Sequence, residues 1–260
     1  MANAKGVQRH PLFKLGKRKA RRDPRNLMLK SILRAPVKVP EEYDFDTAHA
    51  GVPTPIFAND RLGDCVIAGR AHQTLRLELI EQDTVIAITD QEVIREYLRE
   101  TGGGDTGLIV LDSLKVWRKR GWIAAGDRYY ITAFAEIDRD SSSEVKRTVF
   151  TDLGVGLGLA LPRTAQYEFE AGKPWETIKG PGSAANSWGG HYVYVTGYTS
   201  LGPTCVTWGR KQRMSWAFFR TYCDEAYAVI DAINTPKKRR ALNKAKVDAF
   251  LDTLSPVNAA

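Results

Sequence analysis

One stretch constrains this chain more than any other. It is Asn59-Asp60-Arg61-Leu62-Gly63-Asp64-Cys65, a polar loop with a glycine that runs directly into Val66-Ile67-Ala68-Gly69-Arg70-Ala71-His72. The apolar positions Ile67, Ala68, Ala71, Leu75 and Leu79 fall on one helical face, so the spacing predicts a helix from Cys65 to near Gln82. A cysteine in the first turn of a helix meets unpaired N–H groups and the positive end of the helix dipole, and both favour thiolate. Far downstream, Gly190-His191-Tyr192-Val193-Tyr194-Val195-Thr196-Gly197-Tyr198 sets a histidine at the head of an alternating strand. A helix-borne cysteine and a strand-borne histidine are the components of a nucleophile–base pair. His72 follows Cys65 by seven residues on the same face, but two turns, about 10 Å, separate them. A buried or rim histidine is the expected role for it.

The rest of the chain reads as mixed α+β. A second helix is expected from Asp90 to Glu100 with Asp90 as its N-cap, and a third from Leu108 to Arg120, ended by Gly121. Between them, Thr101 to Gly107 is a glycine-rich loop with no Gly-Lys-Ser/Thr to make it a phosphate cradle, and helix entry is its preferred reading. Strands are expected at Tyr130–Ile137, Val155–Leu161, His191–Tyr198, Thr204–Trp208 and Tyr227–Ile230. A helix is expected over Ser143–Asp152 and a long loop over Pro162–Ser187. A helical first part and a β-rich second part, with cysteine on one and histidine on the other, predict a cleft between lobes.

These blocks resemble the papain-like cysteine peptidases. The family's Pro-Val-x-Asn-Gln-Gly-x-Cys-Gly-Ser-Cys-Trp loop is matched by Pro55 to Val66, with Asn59 at the place of the oxyanion-hole glutamine and Cys65 at that of the nucleophile. Val39 to Asp46 looks like the start of a mature papain-like domain. Gly190-His191 looks like the histidine strand, and Val206-Thr207-Trp208-Gly209 like a closing hairpin. The resemblance implies a two-lobe fold with a β-barrel-like second lobe. It implies Cys65, His191 and Asn59 as catalytic residues, Gly63, Gly107 and Gly190 along the substrate, and a peptide or protein substrate without cofactor or metal.

The sequence departs from the family in four places. The family's orienting asparagine aligns with Val206, which cannot accept a hydrogen bond. Asn186-Ser187-Trp188-Gly189 spells the asparagine motif but precedes the histidine, and reads as a decoy. Asp64 beside Cys65 opposes thiolate formation or serves as a plain N-cap. Leu62 replaces a cysteine that secreted members use in a disulfide.

Charge divides the chain further. Residues 1–40 carry twelve Lys or Arg against Asp23 alone, residues 41–235 are net −7, and residues 236–260 net +4, within an overall +8. The expected organisation is a basic arm over 1–38, a helical lobe over 39–128 carrying Cys65, a β-rich lobe over 129–232 carrying His191, and a basic tail over 233–260. Composition leaves two readings of the arm open, a solvated tail or a segment that docks on other subunits of an assembly or on nucleic acid, with Asn26 to Leu33 forming about two helical turns on a partner. Phe13 is its lone aromatic before Leu27, which argues against base stacking. Three cysteines give no disulfide framework or metal spacing. No apolar signal core or membrane span is evident, so a non-secreted location is expected, in the cytoplasm or within an assembled particle such as a virion. Two functions stay open: a cysteine peptidase or acyl-transfer enzyme using Cys65 and His191, and a catalytically inactive papain-like structural protein, for instance of a viral or phage particle.

Overall fold

The computed structural model describes residues 13–34 and 38–254. The helices are α1 (Leu29–Ile32), α2 (Phe45–Ala48), α3 (Cys65–Gln82), α4 (Asp90–Thr101), α5 (Val110–Arg120), α6 (Ser142–Phe150), α7 (Arg163–Glu170), α8 (Trp216–Tyr222), α9 (Pro236–Ala241) and α10 (Lys244–Leu254). The strands are β1 (Tyr43–Asp44), β2 (Trp122–Ala124), β3 (Asp127–Tyr129), β4 (Ala133–Glu136), β5 (Gly154–Leu161), β6 (Gly189–Tyr198), β7 (Pro203–Thr207), β8 (Arg210–Arg213) and β9 (Cys223–Ile230). Among the described residues, no helix is long and apolar enough to cross a membrane.

Seven strands form one sheet in the order β4-β9-β5-β6-β7-β8, with β1 added to the far end of β6, and all the pairings are antiparallel. Its edge strands β4 and β8 do not pair with each other, so the expected barrel is an open sheet. Side-chain alternation sorts the sheet's two faces. Tyr192, Tyr227 and Val229 join a core with α3, α4 and α5, whereas Val193, Val195, Ala226 and Ala228 join a second core with Leu157, Leu159, Trp175, Phe218 and Phe219. The glycines of β5 leave room on the α3 side: a Cβ on Gly156 would lie 1.7 Å from the Tyr192 hydroxyl.

α3 is buried over residues 65–78, polar side chains included, so it is a central helix covered on more than its one apolar face. Its two buried arginines are paired. Arg70 donates to Glu96 (2.8 Å), Glu100 (2.8 Å) and the Ser113 hydroxyl (2.5 Å), and Arg76 to Asp46 through two nitrogens (2.8 and 2.9 Å). α4 is capped by Thr89, one residue before the expected Asp90, because Thr89 and Glu92 form a reciprocal capping box. α5 starts at Val110, which leaves Gly107 and Leu108 outside the helix. The expected loop after Pro162 contains α7, and α8, α9 and α10 were not anticipated either. Ser215 caps α8, and Thr235 with Pro236 opens α9.

Residues 13 to 34 of the arm lie on the chain's own body; residues 1–12 fall outside the described residues. Phe13 packs edge-on against Phe169 (4.8 Å) and beside Trp208 (5.2 Å). Asn26 to Leu33 forms a single turn, α1, and Leu27, Leu29 and Ile32 are buried in the second core. The basic tail likewise folds back. The fully buried Lys238 ammonium reaches Asp231 (2.7 Å) and Glu81 (2.9 Å).

Candidate functional site

α3, which carries Cys65, packs against β6, which carries His191. Cys65 opens α3, and the backbone N–H of Tyr192, the residue after His191, favours its thiolate. His191 is fully buried, and its Nε2 lies 2.6 Å from the Thr207 hydroxyl. Trp208 stacks flat on the imidazole, with ring centroids 4.0 Å apart and an interplanar angle of 10°. Among the described residues, Nδ1 of His191 has no hydrogen-bond partner. When Nε2–H donates to Thr207, Nδ1 carries the lone pair and is free to accept a proton.

Thr207 was missed by sequence reasoning, which considered Val206 one residue earlier. The β7–β8 hairpin turns on Trp208 and Gly209 alone, with Thr207 paired to Arg210. Both turn residues have positive φ (+43° and +78°), the backbone of a tight hairpin. Tryptophan is costly there, by about 1 kcal/mol or more. Its contacts with His191, Phe169 (4.8 Å) and Trp188 (5.3 Å) offset that strain and close a lid over the Thr207–His191 bond. The available signal was a hydroxyl immediately before a tryptophan. Asn186 of the decoy motif sits exposed in a turn with φ +63°, away from that bond.

Asn59 is buried below Cys65, but its amide faces its own loop. Nδ2 donates to the Leu62 carbonyl (3.1 Å) and to Asp64 Oδ1 (3.0 Å). Both amide hydrogens are thus occupied, and in this arrangement none remains for an oxyanion. Asp64 takes the N-cap position without a side-chain cap bond. Burial pushes its carboxyl up to about 8, despite the Asn59 bond, so near neutrality it is largely protonated. That weakens the electrostatic objection to a thiolate beside it. His72 is buried against Phe57 (4.9 Å between centroids), and burial holds it well below the usual imidazole range.

The three glycines expected along a substrate line one slot, and the chain's own residues 15–18 lie in it. Leu108 N–H donates to Gly16 O (2.8 Å), Arg18 N–H to Leu108 O (2.8 Å) and Lys17 N–H to Gly190 O (3.1 Å). Gly107, at φ +71°, is held by the Tyr97 hydroxyl (2.9 Å). Its neighbourhood is therefore a pairing edge, not the simple helix-entry loop that was preferred. A Cβ on Gly16 would fall 1.6 Å from the Gly63 carbonyl oxygen, so only glycine passes there. Further along, Lys14 N–H donates to Asn59 O (3.1 Å), and Trp208 Nε1 to Lys14 O (3.2 Å).

This strip covers the site. Cys65 is 1 % exposed. Burial pushes its thiol up to about 11, against the Tyr192 and Gly16 N–H groups that favour thiolate. Burial, aided by the Lys17 ammonium, lowers His191 to about 3. In the covered state both groups are therefore neutral. The other two cysteines, Cys205 and Cys223, are free and buried.

No protein-family model matches this sequence, and the comparison with curated proteins finds no match. Solved structures do match. Xylellain, a cysteine protease from Xylella fastidiosa, superposes with a TM-score of 0.66 at 13 % identity, over 88 % of this chain and 100 % of that one. ProCathepsin B S9 from Trypanosoma congolense gives 0.59 at 11 % identity, over 84 % and 86 %. The Carica candamarcensis cysteine protease CMS1MS2, solved in complex with E-64, gives 0.55 at 14 % identity, over 74 % and 99 %. The fold is the papain-like cysteine protease fold, in a divergent form.

Proposed function

We propose that this chain is a cysteine peptidase, or a related acyl-transfer enzyme, acting on peptides through Cys65 and His191. The observation that carries this reading is the state of His191. Its Nε2 is tied to Thr207 under Trp208, while among the described residues its Nδ1 is unpartnered, on the strand whose next N–H favours the Cys65 thiolate. Thr207 acts as the positioning residue in place of the asparagine. His191 Nδ1 takes the thiol proton and later returns it to the leaving amine. The thiolate attacks the carbonyl carbon at the start of α3, and the Cys65 backbone N–H faces the developing oxyanion. The chain's own strip over residues 14–18 covers this site, and activity requires that it leave.

The burial of Cys65 also favours a second reading, an inactive papain-like protein in which the strip never leaves. Intact-mass labelling by a papain-directed epoxide separates the two. Gly16→Val displaces the strip and serves as the parent, compared with the same chain carrying Cys65→Ala or His191→Ala. One adduct on the parent, absent with Cys65→Ala and slowed at least tenfold with His191→Ala, supports the enzyme. No adduct on a folded parent whose Cys65 reacts with iodoacetamide would establish the inert reading.

A further inference from the structure

Lys17 shows what the slot beside Cys65 is shaped to hold. Its backbone bridges the two edges of the slot, and its side chain leaves that strip for a recess in the body, where it is 1 % exposed. There Nζ meets Asp224 Oδ2 at 2.8 Å and Glu225 Oε1 at 3.2 Å, and donates to the Arg18 carbonyl at 3.3 Å. The recess lies between β5 and the start of β9. Its wall is Gly158, where a Cβ would fall 2.2 Å from Lys17 Cε and 2.5 Å from Glu225 Cγ. Any other residue at 158 would close the recess. Glu225 is itself 5 % exposed, and its Oε2 has no hydrogen-bond partner among the described residues.

We propose that this recess selects a lysine or arginine side chain in the peptide bound across Cys65, making basic peptides the substrate class. The proposal rests on the peptide-binding reading of the slot and deepens it. Gly158, Asp224 and Glu225 belong to the body and remain when the strip leaves. An apolar side chain in the recess would leave the buried Glu225 and the half-buried Asp224 without a counter-charge, which is costly. An acidic one would be repelled. A long cationic side chain threads its stem past Gly158 and places its charge between the carboxylates, as Lys17 does.

The test is scored by binding, so that an inert cleft and an unselective recess give different results. The full chain carrying Gly16→Val to clear the slot, and Cys65→Ala to exclude chemistry, is titrated with capped tripeptides that differ only in a central lysine or norleucine. Norleucine keeps the stem of lysine and removes the charge. The lysine peptide is expected to bind about 10- to 100-fold tighter, as for a buried charge-assisted contact. Adding Asp224→Asn with Glu225→Gln is expected to bring that ratio near one, and adding Gly158→Ala to abolish lysine binding sterically. Equal binding of the two peptides, or binding of neither to the folded chain, would overturn the proposal. Epoxide labelling of the Gly16→Val chain with Cys65 intact reports separately on the catalytic reading.

Discussion

Gly16→Val is the sharpest perturbation of this molecule, because the clash it creates is with backbone. The added Cβ would start 1.6 Å from the Gly63 carbonyl oxygen, and the Gly63 N–H is itself held by Asp105 (2.9 Å). Neither side can turn away as a flexible side chain would, so the strip must leave its slot. Three ladder hydrogen bonds go with it, those of Leu108 N–H, Arg18 N–H and Lys17 N–H. At about 1 kcal/mol net each, they hold the covered state by about 3 kcal/mol. Each 1.4 kcal/mol is a factor of ten, so removing them raises the uncovered population by about 100-fold. The assay is the rate of iodoacetamide modification of Cys65 at fixed pH, which follows that population when uncovering is fast relative to alkylation. Circular dichroism confirms that the chain stays folded, as expected when Leu27, Leu29 and Ile32 still anchor the arm in the core. In the wild type the rate is expected to climb toward pH 11, because the buried thiol ionises only near there, and in the variant at a lower pH. A folded variant whose Cys65 reacts within threefold of wild type would refute both the covering role and the energetic argument.

Three further outcomes are expected. Thr207→Val, in the Gly16→Val chain, removes the partner of His191 Nε2 and should slow epoxide labelling about 10- to 100-fold, with Thr207→Asn restoring most of the rate; an unchanged rate would remove Thr207 from the site's design. Asp64 binds its proton more tightly when folded (about 8) than unfolded (about 3.8), so its contribution is full below pH 4 and is lost as pH rises toward 8. Asp64→Asn, which keeps an oxygen for Asn59, should therefore flatten the fall in thermal stability between pH 5 and 8, and parallel pH profiles would contradict this. Arg70→Ala strands Glu100 in the interior and leaves Glu96 with Arg99 alone, and should cost about 3–5 kcal/mol in urea unfolding, whereas a loss below 1 kcal/mol would mean the network is dispensable.

Local signals in this sequence carried far, because they depend on neighbours in the chain. The helix at Cys65 ends at Gln82 as its periodicity implies, and β6 covers the predicted His191 strand. The mixed α+β character was legible from such blocks, and the papain-like fold from their resemblance to that family. α7 escaped because its eight residues stand between Pro162 and a stretch punctuated by Gly172, Pro174, Gly180, Pro181 and Gly182. The tail helices escaped because their charge pattern reads as solvated, although Lys238 is buried between two carboxylates.

The chain's own residue order determined that a cysteine would open a helix, that a histidine would head a strand, and that basic extensions would flank an acidic body. Only the tertiary structure decided what those features meet. Thr207 reaches His191 because a two-residue hairpin presents it to a ring 16 positions away. Asn59 turned to Asp64, which stands five residues on, because burial leaves that carboxyl in need of a donor. Lys17 found Asp224 and Glu225 across 207 and 208 positions of sequence. Composition records such charges but not their partners, since a contact between distant residues depends on how the sheet and α3 close upon each other.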